Sequence, residues 1–175
     1  MSAALAIEIV PLDRVVHDRA AFSCGQEQLD RYLREQAAQD VKKRVAAVFV
    51  AARHGKRDVL GYYTLAQASI ALDDLPAATK KRLPRYPNVP VTLLGRLAVR
   101  RGSQGIGLGT RLLGDAARRA AQAAVEVASA GIIVEPMDDA AAGFYLRFGF
   151  EAISDPPRRM FLPMGTITKA LATTP

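Results

Sequence analysis

"RRGSQGIGLG", residues 100–109, places glycine at every second position, 105, 107 and 109. That spacing strips side chains from alternate backbone units and lets another group approach the chain closely. The stretch follows "VTLLGRLAVRR" (91–101), an apolar run that reads as a buried strand. A helical period then covers 107–128. Leu108, Leu112, Leu113, Ala116, Ala120, Ala123 and Val127 fall on one side, with Arg111, Asp115, Arg118, Gln122 and Glu126 on the other. Helix N-termini carry unpaired N–H groups and a partial positive charge, so they hold anions. Strand, bare loop and helix start together point to a phosphate-bearing ligand; the plain alternative is a tight turn holding nothing.

Two common phosphate loops do not fit. A P-loop ends in Gly-Lys-Ser/Thr, whereas Gly109 is followed by Thr110 and Arg111. A dinucleotide fingerprint needs a third glycine three residues after the second, and that position is Leu112. It also belongs in an early βαβ unit, whereas this loop comes after a hundred residues.

The rest of the chain reads as mixed α/β. "LAIEIVPL" (5–12) is a strand, and 25–43 is a helix with Leu29, Leu33, Ala37 and Val41 four apart on one face. Residues 45–54 and 59–72 form a hairpin around the turn 55–58. Asp73 is an N-cap for a short helix over 73–83, which the prolines of 84–90 end. "AGIIVEPM" (130–137) is a short strand. "DDAAAGFYLRFGF" (138–150) is a helix capped by Asp and stopped at Gly149. "FEAISD" (150–155) and "RRMFLPM" (158–164) are the last strands.

Half of the 175 residues are hydrophobic and 23% are charged, a globular composition. No apolar run reaches membrane-spanning length, and the N-terminal stretch lacks the pattern of a signal peptide. The single cysteine, Cys24, allows no internal disulfide and favours a reducing cytoplasm. Net charge is +7, from 24 basic and 17 acidic residues. This suits polyanionic partners such as nucleic acid, a phosphate-rich cofactor or an acidic protein, although basic clusters also serve as plain solvated faces.

Gln104-Gly105-Ile106-Gly107-Leu108-Gly109 resembles the Gln/Arg-x-x-Gly-x-Gly/Ala signature of the GNAT N-acetyltransferases. "LLGRLAVRRGS" (93–103) resembles their central strand, and "FYLRFGF" (144–150), about 35 residues later, their late helix. The resemblance implies a single GNAT domain over 1–175, with a mostly antiparallel twisted sheet of six to seven strands and about four helices. It implies acetyl-CoA as cosubstrate and calls for no metal. Its pyrophosphate would lie on Gln104, Gly105, Ile106, Gly107, Leu108, Gly109 and Thr110, and its pantetheine arm along the backbone of Leu97, Ala98 and Val99, with Phe144 packed beside it.

Four segments narrow the resemblance to the tRNA-acetylating toxins of type II toxin–antitoxin pairs: "FSCGQEQLDRYLREQAAQD" (22–40), "GYYTLA" (61–66), "LPRYPNVPVTLLGRLAV" (83–99) and "DDAAAGFYLRFGF" (138–150). This implies an aminoacyl-tRNA substrate, a ribbon-helix-helix antitoxin and a homodimer. One departure stands beside the loop, in "VRRGS" (99–103), where the family pattern puts an acidic residue after Val99.

Acetyl transfer from a thioester to an amine needs alignment, a polarised carbonyl and a proton for the departing sulfur. The resemblance assigns the proton to Tyr145, whose spacing alone favours a core aromatic beside Phe144, Phe148 and Phe150. No general base is legible. His17 and His54 read as solvated surface histidines, Glu135, near the strand end beside the motif helix, as a candidate proton relay through water, and Cys24 as structural. Candidates for a phosphate backbone are Lys42, Lys43, Arg44, Arg85, Arg96, Arg158 and Arg159. Lys42 to Arg44 also suit a helix C-terminus, and Arg96 a buried carboxylate. An acetyltransferase acting on a small or protein amine, or a binding module without turnover, remains open at this point.

Overall fold

The computed structural model describes residues 6–154 and 157–174. Leu5 and Asp155, at the ends of two expected strands, lie outside them. The chain divides into two compact units: residues 1–66 with 96–116, and residues 67–95 with 117–175. The strands are β1 (Ile7–Pro11), β2 (Ala47–Arg53), β3 (Val59–Ala71), β4 (Asn88–Val99), β5 (Gly131–Val134), β6 (Glu151–Ala152) and β7 (Met160–Pro163), hydrogen-bonded in the order β1-β2-β3-β4-β5-β7-β6. The helices are α1 (Glu27–Arg31), α2 (Ala37–Lys43), α3 (Ala77–Lys80), α4 (Leu108–Glu126), α5 (Asp139–Arg147) and α6 (Met164–Ala172). This is the mixed, mostly antiparallel architecture that the sequence implies.

In the first unit, β1 pairs antiparallel with β2, and β2 with β3. The core gathers Phe22, Leu33, Ala37, Val48, Val50, Tyr62 and Ala98, with Leu29 and Val41 partly buried against it. The four-residue spacing of Leu29, Leu33, Ala37 and Val41 thus does face the core. Between α1 and α2 the helix widens into a π turn, Tyr32–Gln36. Arg44 closes α2 in the left-handed region at φ 59°, with Lys42 and Lys43 in the last turn, where cations complement the dipole.

In the second unit, β5 runs parallel to β4 over Thr92–Leu94 and antiparallel to β7, which also pairs with β6. Ile70, Leu75, Val89, Val91, Ile133 and Phe161 form its core. Gly131 is required there, because a Cβ would collide with the Leu162 carbonyl and the Phe161 ring.

Two expectations are corrected. Asp73 does not cap a helix: α3 starts only at Ala77, behind Pro76, and Asp73 instead accepts from Lys80 Nζ at 3.3 Å. Pro76 fits this place because a helix start needs no N–H donor. The apolar face of α4 ends early. Leu108, Leu112, Leu113, Ala116 and Ala120 are buried, but Ala123 is exposed and Val127 lies beyond the helix at 55% exposure. A further helix, α6, follows β7 and buries Ile167.

Candidate active site

The glycine loop belongs to the first unit. β4 ends at Val99, a 3₁₀ turn covers Arg101–Ser103, and α4 starts at Leu108. The turn is pinned from beneath: Arg100 N–H donates to the Leu60 carbonyl at 2.8 Å, Arg101 N–H to the Ser23 carbonyl at 2.9 Å, and Ser103 is buried. Gln104 Nε2 donates to the carbonyls of Cys24 (3.0 Å) and Val99 (2.9 Å). Both of its amide hydrogens are therefore spent inside the protein. Gln104, expected against the pyrophosphate, ties the loop down from within and does not hold out its amide N–H groups to a ligand.

The remaining loop is bare. Gly105 and Gly107 adopt φ of +79° and +81°, which side-chain-bearing residues rarely adopt, and a Cβ on either would meet nothing within 4 Å. Neither glycine is there to avoid a clash with this chain. Ile106 points outward at 68% exposure, while Leu108 and Leu112 anchor the helix in the core. Beneath them Gly61 lets the strand come close: a Cβ there would stand 2.9 Å from both the Ala98 carbonyl and Leu112. The first turn of α4, including half-buried Gly109 and exposed Thr110, leaves its N–H groups without helical acceptors. An open space lined by backbone donors at the positive end of a 19-residue helix fits a pyrophosphate. Ahead of the loop, Ala98 is buried, and Leu97 and Val99 are half-buried. β4 continues to Val99, past its pairing with β5, which stops at Leu94. Backbone groups there could pair with an extended ligand.

Tyr145 belongs to the second unit. Asp138 caps α5 by accepting from Ala141 N–H at 2.8 Å, and Gly149 ends it at φ +90°. Both were legible in "DDAAAGFYLRFGF". Tyr145 is 7% exposed and meets Phe144 edge-on at 5.3 Å and Phe150 at 5.3 Å, while Phe144 also meets Phe148 at 5.0 Å. The core-aromatic packing is thus real. Burial alone pushes its hydroxyl up to about 12, with no neighbouring charge involved. The group stays protonated at neutral pH and remains a donor.

The structure sorts the other candidates. His17 is buried rather than solvated. Its Nδ1 accepts from Asp13 N–H at 3.0 Å, and burial lowers its pKa, so it is a neutral structural imidazole. His54 is exposed against Glu8 at 3.3 Å. Cys24 is pushed up to about 11, chiefly by burial, which removes the thiolate a covalent mechanism needs. Glu135 is exposed. Arg96 meets an aromatic ring rather than a carboxylate: its guanidinium lies 3.6 Å above Tyr32. Tyr32 stacks on Tyr62 and donates to Asp40 at 2.8 Å. Arg100, where the family pattern has an acid, pairs with Asp58 at 3.2 Å, which Arg53 also reaches at 3.3 Å. Arg159 stands 3.9 Å from Asp74. Sequence reasoning missed buried Asp30, which accepts from Cys24 N–H at 2.8 Å and holds the segment whose carbonyl anchors Gln104. The polar face of a helix gives no sign that one carboxylate on it turns inward. Among the described residues, no group of three or more His, Cys, Asp or Glu could hold a metal, and no helix is long and apolar enough to cross a membrane.

Residues 44–152 match the acetyltransferase (GNAT) domain family. A tRNA-acetylating toxin of Mycobacterium tuberculosis is 40% identical over 147 residues, covering 84% of this chain and 86% of the relative. The structure of AtaT complexed with acetyl-methionyl-tRNAfMet superposes with a TM-score of 0.88 at 29% identity, covering 95% of this chain and 99% of that one. A tyrosine-to-phenylalanine mutant of AtaT, bound to the C-terminus of the antitoxin AtaR and acetyl-CoA, superposes with a TM-score of 0.81 at 27% identity, covering 96% and 99%.

Proposed function

The chain belongs to the GNAT acetyltransferases, and from that premise we propose that it is a toxin that acetylates the amino group of an aminoacyl-tRNA and so blocks translation. The observation that carries the reading is the likeness to the tRNA-acetylating toxin over most of both chains. The bare start of α4 supports the donor half, and the basic balance of +7 the acceptor half.

Acetyl-CoA supplies a thioester whose acyl group passes to a neutral amine. The N–H groups from Gly105 to Thr110 hold the pyrophosphate, and Gln104, tied to Cys24 and Val99, keeps that loop in place. Backbone groups of Leu97, Ala98 and Val99 align the pantetheine arm, with Phe144 packing against it. Tyr145, buried and protonated, donates its phenolic hydrogen to the sulfur as the carbon–sulfur bond breaks, while the acylated nitrogen releases a proton to solvent and solvent returns one to the phenolate. That β3, β4 and α4 each run through both compact units supports reading 1–175 as a single domain. A cytoplasmic homodimer, with a ribbon-helix-helix antitoxin as its partner, completes the reading.

Mass spectrometry of charged tRNA incubated with protein and acetyl-CoA tests it directly. Acetylation of the aminoacyl group is the expected result. Ready acetylation of polyamines or peptides, with charged tRNA untouched, would replace the toxin by an ordinary amine acetyltransferase.

A further inference from the structure

The loop between α3 and β4 carries cations that the acetyl transfer leaves unused. Lys80, the last residue of α3, and Lys81, Arg82 and Arg85 fall within six residues. The nearby carboxylates are engaged: Asp73 with Lys80 at 3.3 Å and Asp74 with Arg159 at 3.9 Å. Lys81, Arg82 and Arg85 are exposed. Among them stands Tyr86, whose side chain is among the most exposed of the large apolar ones at 68%.

The loop is stiff as well as cationic. Pro84 and Pro87 fix φ on either side of Arg85 and Tyr86. Tyr86 N–H donates to the Pro84 carbonyl at 2.9 Å, a γ-turn with Arg85 at its apex. Leu72 N–H donates to the Pro87 carbonyl at 3.0 Å and ties the loop to the end of β3. Leu72 and Leu83 line a cleft of about 660 Å³, with Lys80, Lys81, Arg85 and Tyr86 around it. That volume lies in the range of small-ligand pockets, roughly 300–1,000 Å³.

A rigidly presented ring beside unpaired cations matches one chemistry best. A nucleobase offers a π-face to the ring, and its phosphate offers charge to the cations. An acidic peptide would use the cations but has no use for the ring face, and a paired base keeps its faces stacked inside the duplex. We propose that this cleft holds an unpaired nucleotide of the RNA substrate, its base on Tyr86 and its phosphate against Lys81 and Arg85. The inference rests on charged tRNA being the acceptor and adds where its single-stranded part is gripped.

The test compares wild type with Tyr86→Ala, Tyr86→Phe and the double variant Lys81→Ala/Arg85→Ala. It measures KM and kcat for charged tRNA at several salt concentrations, with CoA affinity by calorimetry as the check on folding. Tyr86→Ala should raise KM roughly 5- to 100-fold, the effect of losing one stacked base, with kcat and CoA affinity little changed. Tyr86→Phe should restore KM. The double variant should flatten the dependence of log KM on log salt by about 0.7 per lost phosphate contact. Normal KM in Tyr86→Ala together with an unchanged salt slope in the double variant overturns the cleft while leaving the tRNA acceptor standing. A Tyr86→Phe as weak as Tyr86→Ala overturns the stacking. Wild type that fails to acetylate charged tRNA at all overturns the acceptor reading, and this inference with it.

Discussion

The glycine loop and the aromatic end of α5 solve opposite problems. At Gly105 and Gly107 the missing Cβ leaves space that no described atom fills, and in the proposed reading the backbone itself is the binding surface. Around Tyr145 space is filled by Phe144 and Phe150, and the proposed chemistry rests on a single hydroxyl. Gly131, at the start of β5, sharpens the contrast, since its missing Cβ makes room for Leu162 and Phe161 of this chain. One residue type thus leaves open space in one region and makes room for the core in the other, and only the neighbours tell which.

The largest effect is expected at the hydroxyl. Tyr145→Phe keeps the aromatic packing and removes the proton donor, so turnover should fall roughly 10²–10⁴-fold with CoA affinity nearly unchanged. A near-normal rate by stopped assay would leave Tyr145 as a core aromatic and dissolve the contrast. Next comes the loop. Gly107→Val should lose CoA binding in calorimetry, since each charge-assisted amide contact contributes about 1.5–3 kcal/mol. Its positive φ adds strain of roughly 1–3 kcal/mol, so circular dichroism must confirm folding. Thr110→Asp separates the two effects. A carboxylate in the first turn favours the helix by about 0.3–1 kcal/mol yet repels phosphate, so melting temperature should hold or rise while CoA affinity drops. Unchanged affinity in both variants would remove the phosphate from this loop.

Gly131→Ala should do the reverse, destabilising the fold by roughly 1–3 kcal/mol in urea unfolding without touching CoA contacts. Asp138→Ala should cost about 1 kcal/mol through loss of the α5 cap, and an undiminished melting temperature would refute the cap's role. The smallest effect is in pH. Tyr145 titrates higher folded than unfolded, so its contribution to stability is complete below pH 10 and is lost as pH rises towards about 12. Between pH 7 and 9, neither stability nor the acid step should show a Tyr145 limb. A rate decline in that window that persists in Tyr145→Phe belongs to another group.

Much of this was legible because it is local. Alternating glycines after an apolar run, and Asp138 with Gly149 around a helical stretch, act within a few residues of themselves. The π turn at Tyr32–Gln36 was not legible, because a four-residue spacing suits a regular helix equally well. Asp73 had the chemistry of an N-cap, but Pro76 sets the start of α3 and leaves Asp73 to Lys80. Helix α6 buries Ile167 and follows a proline, so its periodic signal is thin.

By itself the sequence determined most of the elements, the bare glycine loop and the helix that carries Tyr145, since propensity, capping and glycine freedom are properties of short segments. Tertiary structure decided what distant residues do to one another. It turned His17 inward as a neutral acceptor, laid Arg96 on Tyr32 and used up the Gln104 amide on two carbonyls, one of them eighty positions away. A side chain's charge, protonation and free hydrogen-bond capacity depend on burial and on partners, and these exist only once the chain has folded.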